Sequence, residues 1–236
     1  MSAVNLTQLN LLSGGAAQGL VNALRAEFQA RCGLDIQGEF GAVGMVKDKL
    51  LTGAPCDVII LTQALIDQLT LGGHVVPGCA RPLGVVKTGV AVKDTEPAPD
   101  VSTPAALKVA LLAARGIYFP DPVKATAGIH FFKVLQLLGI DGEVASRLRP
   151  FPNGATAMRE MSNCTEPSLI GCTQVTEILY TPNIRLVANL PREFELATVY
   201  TAAVCAKTAN LNAATSLVEL LSGAAAAEPR ATAGFE

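Results

Sequence analysis

The segment Leu9-Asn10-Leu11-Leu12-Ser13-Gly14-Gly15, running directly into the amphipathic stretch Ala16 to Cys32, constrains this chain more than any other. A short apolar strand ends in a hydroxyl and two glycines, and a helix starts at once. Such a start leaves the first N–H groups of the helix without intrahelical partners. It also places the positive end of the helix dipole at the same spot. The result is a pocket suited to an anion.

The pattern continues as alternating strands and helices. Ala17, Leu20, Val21, Leu24 and Phe28 share one helix face, the i, i+3, i+4 spacing of a helix packed on a sheet. Asp35 to Phe40 then reads as a strand, Val43 to Leu51 as a helix and Asp57-Val58-Ile59-Ile60-Leu61 as a strand buried on both faces. Helix Ala64 to Leu71 follows, closed by Gly72-Gly73. Right-handed crossovers make the sheet of such a βαβαβα unit parallel.

A strand at Gly84 to Lys93 has no helix after it, only the Pro- and Asp-rich loop Asp94 to Asp100. Ser102-Thr103-Pro104 then supplies a capping hydroxyl and an early proline for a helix over Ala105 to Ala114. A second αβ set comprises a strand at Gly116 to Phe119, helices at Thr126 to Leu138, Asp141 to Leu148 and Asn153 to Met161, a strand at Ser168 to Cys172 and a helix at Thr173 to Leu179. Glu195 to Ala206 reads as a strand, Asn210 to Leu221 as a helix, and the Ala-rich stretch from Ala224 begins a last short helix. The fold class is therefore α/β with two lobes, each a mixed, mostly parallel sheet flanked by helices. Residues 1–82 plus 195–236 form lobe one and residues 83–194 lobe two, with a ligand cleft expected between them.

Composition narrows the function. Hydrophobic residues make up 50% and charged residues 16% of the 236 residues, enough for a sizeable core. Net charge is −2, aromatics are 5% and Trp is absent, so nucleic acid is excluded as the expected partner. No stretch approaches the ~20 continuous apolar residues of a spanning helix, so no membrane insertion is expected. The N-terminus lacks the pattern of a secretory signal. The expected location is cytoplasmic for the sequence as it stands, and periplasmic if a leader has been removed. The six cysteines contain no CxxC pair and read as reduced buried thiols, with Cys164 and Cys172 able to pair in an oxidising compartment. No Cys/His spacing resembles a metal site, and no nucleophile elbow, GxGxxG or P-loop occurs, so neither metal nor cofactor is expected.

Ser13-Gly14-Gly15-Ala16, the Asp57 strand, Ser102-Thr103-Pro104-Ala105-Ala106-Leu107-Lys108, Tyr118-Phe119-Pro120-Asp121-Pro122, Gly128-Ile129-His130-Phe131, Thr176-Glu177-Ile178-Leu179 and Gly234-Phe235-Glu236 occur in that order. Together they resemble the type II periplasmic-binding-protein superfamily, in the branch similar to molybdate-binding proteins of ABC transporters. The resemblance implies a monomeric clamshell that binds a small anion, with an ABC permease as partner if the chain is exported. It implies ligand contacts from Ser13, Gly14 and Gly15, from Thr62, from Lys124, Thr126, Ala127 and Gly128, and from Gln174. The residues agree: Ser13, Thr62 and Thr126 each stand where a strand or loop hands over to a helix, although ordinary capping explains any one of them. Each helix dipole adds about 0.3–1 kcal/mol for an anion at its start.

Some relatives of molybdate-binding proteins act as aconitate isomerases, and this alternative needs an acid/base group and cations for carboxylates. Lys124, His130, Lys87 and Arg81 are the available candidates. The alternative readings are a solvated loop lysine for Lys124, a packed or backbone-bonded His130, a snorkelling Lys87 and a surface ion pair for Arg81. Glu177 reads as a surface or hinge-pairing carboxylate. Whether the chain is an enzyme stays open at this point.

Overall fold

A computed structural model describes residues 8–236. In chain order the elements are β1 (Gln8–Gly14), α1 (Gln18–Cys32), β2 (Asp35–Gly41), α2 (Val43–Leu51), β3 (Val58–Thr62), α3 (Gln63–Leu71), β4 (Arg81–Lys93), α4 (Pro104–Ala113), β5 (Gly116–Pro120) and α5 (Thr126–Leu137). They continue with α6 (Asp141–Val144), β6 (Leu148–Phe151), α7 (Gly154–Asn163), β7 (Leu169–Gln174), α8 (Val175–Tyr180), β8 (Ile184–Asn189), β9 (Ala197–Val204), α9 (Leu211–Ser222) and α10 (Ala227–Thr232).

The chain divides into two compact α/β units. Unit 1 takes in the chain up to Gly41, Met45–Val85 and Val199–Glu236, and unit 2 takes in Ala42–Gly44 and Val86–Thr198. Lobe one as read from the sequence begins at residue 1, and residues 1–7 lie outside the described residues.

Unit 1 is built on the strand order β2-β1-β3-β9. β1 pairs in parallel with β2 and β3, and β9 closes the row antiparallel to β3. The reason lies in the residues: Val58, Ile59, Ile60 and Leu61 are fully buried, as a strand covered on both faces must be. The buried stripe Leu20, Val21, Leu24 and Phe28 of α1 packs toward α9, which buries Leu217 and Leu221. Asp57 fastens the strands together. Its Oδ2 accepts the Asn10 N–H at 2.8 Å and its Oδ1 accepts the Thr208 hydroxyl at 2.6 Å. Val85 and Glu236 exchange backbone hydrogen bonds of 2.8 Å in each direction. The neighbouring Gly84, at φ +143°, has no room for a side chain, because a Cβ would meet the Glu236 carbonyl at 2.8 Å.

In unit 2, β4 pairs antiparallel with both β7 and β8, and β5 runs parallel to β7 and β6. Every residue of β5 is buried. On one side of it Phe119 meets Phe131 edge-on at 5.5 Å, within a cluster that includes Leu107, Leu111, Val134 and Leu135. On the other, Tyr118 stacks on Phe151 at 5.7 Å beside Met158 and Met161. Two caps behave as their sequences predict: Thr103 Oγ1 accepts from Ala106 N–H at 3.1 Å and Asn153 Oδ1 from Thr156 N–H at 2.8 Å.

The structure departs from the expected elements in three places. The helix expected over Asp141 to Leu148 ends at Val144 and continues as a 3₁₀ turn over Ala145–Arg147. Arg147 explains this, since its guanidinium donates to the carbonyls of Leu112 and Ala114 at 2.6 and 2.7 Å and anchors the turn to the end of α4. β6 is a strand despite Pro150, because it lies at the sheet edge, where a missing N–H is tolerated. β8 carries no clean alternation, with one buried residue followed by one exposed and four half-buried, so its pairing with β4 is not written in a period of two.

Phe131 has no exposed surface, so truncating it leaves a cavity against Phe119. Phe131→Ala is expected to cost about 3–5 kcal/mol of stability, measured by urea unfolding. A cost below about 1 kcal/mol contradicts this account of the core.

Candidate functional site

In unit 1 the candidate residues gather where parallel strands end. Ser13 and Gly14 finish β1, directly beside Phe40 and Gly41 of β2, and Ser13 stands opposite Ile60 of β3. Gly15 opens a 3₁₀ turn over Gly15–Ala17 that leads into α1, and neither the turn nor the helix has a side-chain cap. The N–H groups of this start are therefore available to an acceptor other than a capping side chain. Ser13 is fully buried, and its hydroxyl donates to the Gly14 carbonyl at 2.8 Å. Thr62 ends β3 and holds the N-cap position of α3 with extended backbone, again with no side-chain cap bond. Its cross-strand partner is the buried Tyr200, and the adjacent Thr201 donates to Gln63 Oε1 at 2.5 Å.

In unit 2 a second set surrounds the start of α5. Asp121 Oδ1 accepts the N–H groups of Val123 and Lys124 at 2.7 and 2.9 Å, shaping the loop that carries Lys124 to Thr126. The Lys124 carbonyl accepts the Gly44 N–H at 3.2 Å. Lys124 is exposed, Thr126 half-buried, and Ala127 and Gly128 buried. A Cβ at Gly128 would lie 2.3 Å from the carbonyl oxygens of both Pro120 and Asp121, so only glycine lets α5 approach this loop. Ala125 occupies the N-cap with no side-chain cap bond, so this helix start is also uncapped by a side chain.

Gln174 is the sharpest feature. It ends β7, is 2% exposed, and neither its amide nitrogen nor its amide oxygen has a hydrogen-bond partner among the described residues. Thr88 stands directly across from it in the β4–β7 register, is 1% exposed, and its hydroxyl is likewise unpartnered. The hydroxyls of Thr176, two residues after Gln174, and of Thr198 share that condition. Among the described residues, all the buried unpartnered side-chain polar atoms belong to these four residues of unit 2. Each such atom costs about 1–3 kcal/mol if left without a partner, so bound water or a polar ligand must pair it.

Glu177 contrasts with this. The structure corrects its reading as a surface carboxylate: it is 5% exposed and faces the start of α7. Oε2 accepts the Thr173 hydroxyl at 2.5 Å, and the backbone N–H groups of Gly154, Ala155 and Gln174 supply further bonds. A Cβ on Gly154 would lie 1.9 Å from both Glu177 Oε2 and Thr173 Oγ1. The chain thus fills this anion-attracting helix start with its own carboxyl group. Burial pushes the Glu177 carboxyl above its ordinary range, and the hydrogen bonds only partly oppose that.

Of the acid/base candidates, His130 Nε2 lies 2.8 Å from the Phe194 carbonyl, which a proton on that nitrogen satisfies. Lys87 Nζ lies 3.6 Å from Glu195 Oε2. The Arg81 guanidinium donates to the Gly78 and Ala80 carbonyls at 2.8 and 2.9 Å, holding its own loop. Among the described residues no group of three or more His, Cys, Asp or Glu side chains is placed to hold a metal, and no helix is long and apolar enough to cross a membrane. Thr88, Thr176 and Thr198 were not singled out from the sequence. The available signal was a polar residue inside an apolar strand, which Thr88 gives beside Gly89.

A profile of the bacterial extracellular solute-binding proteins matches residues 9–236. The chain is 24% identical over 245 residues to an aconitate isomerase from a Pseudomonas species, covering all of this chain and 90% of that one. Among solved structures, the periplasmic molybdate-binding protein of Azotobacter vinelandii matches with a TM-score of 0.78 at 19% identity, covering 97% of this chain and 98% of that one. The sulfate-binding protein SubI of Mycobacterium tuberculosis matches with a TM-score of 0.74 at 17% identity, covering 97% and 86%. These likenesses identify the fold as that of the two-lobed periplasmic binding proteins.

Glu177 makes a pH prediction. A carboxyl raised in the folded state binds its proton more tightly there than in the unfolded chain. Its contribution to stability is complete below the unfolded pKa of about 4.3 and is lost as pH rises through the folded value. Glu177→Gln removes that dependence. The stability of the variant relative to the parent is expected to improve from pH 4 to pH 7, read from urea midpoints across the range. A constant difference contradicts the raised value.

Proposed function

Because the chain belongs to the bacterial extracellular solute-binding protein family, we propose that it binds a small anion, an oxyanion or a small carboxylate, chiefly through neutral donors. The supporting observation is the set of buried, unpartnered polar atoms on Thr88, Gln174, Thr176 and Thr198. A Gln amide offers N–H donors to oxygen and an acceptor to a hydroxyl, and a threonine hydroxyl can serve either way. The uncapped starts at Gly15 and Thr126 add backbone N–H groups and favourable dipole ends. Hydroxyls and oriented backbone N–H groups can bind an anion without a formal counter-charge. An ABC permease is the partner this reading assigns.

A second reading has one specific support, the full-length similarity to an aconitate isomerase. Moving a double bond within a tricarboxylate is an allylic proton shift: one group removes a proton from carbon and a proton returns at the far end of the allyl system. Lys124, on an exposed loop beside the start of α5, is the candidate for pairing with a carboxylate. His130 and Lys87 would first have to leave the Phe194 carbonyl and the Glu195 carboxylate.

One panel separates the readings. Thermal unfolding with molybdate, tungstate, sulfate, citrate and trans-aconitate is expected to show a concentration-dependent rise for at least one anion. Gln174→Leu is expected to weaken that ligand roughly 10–100-fold, the loss of one or two hydrogen bonds to a charged group, and Ser13→Ala to weaken it as well. No shift with any anion, or undiminished affinity in Gln174→Leu, contradicts the proposal. Conversion of trans-aconitate to its double-bond isomer, followed by proton NMR, would establish the isomerase reading, and stabilisation by molybdate alone would end it.

A further inference from the structure

Unit 1 brings three cysteines into one neighbourhood. Cys56 immediately precedes Asp57 and β3, and Cys205 immediately follows β9. The antiparallel register sets Val58 opposite Val204, and the Cys205 N–H donates to the Asp57 carbonyl at 2.9 Å. Cys56 is one residue beyond the position opposite Cys205, and the two sulfur atoms lie 3.3 Å apart, with the Cys205 thiol donating to Cys56 Sγ and the Cys56 thiol donating to the Val58 carbonyl at 3.1 Å. Cys79 is the third. Its sulfur accepts the Val204 N–H at 3.2 Å, and its thiol donates to the Val76 carbonyl at 2.8 Å. All six cysteines, Cys164 and Cys172 included, are free thiols.

Access distinguishes the pair from ordinary buried thiols. A cavity of about 180 Å³ is lined by Cys56, Cys205, His74 and Lys207 together with loop residues around Gly53 and Gly73. Cys56 is 9% exposed and Cys205 is 1% exposed. The hydrogen bond to Cys56 and burial push the Cys205 thiol far up, so Cys205 keeps its proton. Cys56, which accepts that proton's hydrogen bond and has more open surface, is the sulfur that an entering reagent meets first. Nothing in the anion-binding reading uses these residues.

We propose that Cys56 and Cys205 are a peroxide-responsive pair that closes to an intramolecular disulfide. The oxidant is a small hydroperoxide. In the first step Cys56 sulfur forms a bond to the distal peroxide oxygen and the O–O bond breaks. The product is a sulfenic acid, and the remaining peroxide oxygen takes the Cys56 thiol proton and leaves as an alcohol, or as water from hydrogen peroxide. In the second step Cys205 sulfur attacks Cys56 sulfur, the S–O bond breaks, and the oxygen leaves as water with the Cys205 proton. Two thiols are oxidised by two electrons and one hydroperoxide is reduced. A disulfide spans about 2.05 Å between sulfurs, so the pair must close by about 1.3 Å, within reach of side-chain rotation when the strands are already paired. The bond would tie the entry of β3 to the exit of β9.

The test uses the whole chain. The protein is treated with hydrogen peroxide, unfolded, alkylated and mapped by peptide mass spectrometry. The expected product carries a Cys56–Cys205 linked peptide, with the other four of the six thiols alkylated. In Cys205→Ser the sulfenic acid on Cys56 has no partner, so dimedone is expected to label Cys56. In Cys56→Ser no linked peptide at Cys205 is expected. Six alkylated thiols after treatment, or a bridge joining Cys79 to Cys205 or Cys164 to Cys172 in the parent protein, overturns the assignment. The peptide map of the parent protein decides even if either variant folds poorly.

Discussion

Parallel pairing governs unit 1. Because β1, β2 and β3 run the same way, their C-terminal ends lie side by side, and the chain leaves β1 and β3 directly into helical turns. That single constraint sets Ser13, Gly14, Gly15 and Thr62 together without any contact between their side chains being required. Asp57 secures it, since its two oxygens hold both the neighbouring strand and the segment beyond β9. In unit 2 the same logic places Thr126 after β5 and Gln174 at the end of β7.

Helix starts differ in what meets their N–H groups, and a side-chain cap is the exception: α3, α6, α8, α9 and α10 have none. α4 and α7 have side-chain caps, Thr103 and Asn153. α7 additionally receives the Glu177 carboxyl, so an anion-like group already occupies it. The Gly15 turn and α5 have no side-chain cap at all. In unit 2, Gln174 and the hydroxyls of Thr88, Thr176 and Thr198 are buried and unpartnered among the described residues.

Most of the fold was readable because buried parallel strands and amphipathic helices announce themselves locally. Val58 to Leu61 reads as a doubly covered strand, and the Leu20–Leu24–Phe28 stripe as the buried face of a helix, which packs against both α9 and β2. β6 and β8 were not readable, since one is an edge strand with a proline and the other is half-buried along most of its length. Arg147 ended a predicted helix through bonds to a segment more than thirty residues away, which no local pattern contains. The candidate site was legible in part. Ser13, Thr62, Thr126 and Gln174 followed from strand-to-helix handovers and from family resemblance. Thr88 and the burial of Glu177 depend on register across β4, β7 and α7, a tertiary fact that sequence spacing does not express.

The central claim is that a small anion completes the hydrogen bonding of Gln174. Its side-chain amide gives a direct reporter, because the two N–H protons resonate separately and respond to a new acceptor. In a two-dimensional NMR titration with the anion that stabilises the protein, the Gln174 side-chain amide signals are predicted to shift and saturate together with the backbone amide of Thr176. Saturable binding that leaves the Gln174 signals where they were would contradict the account.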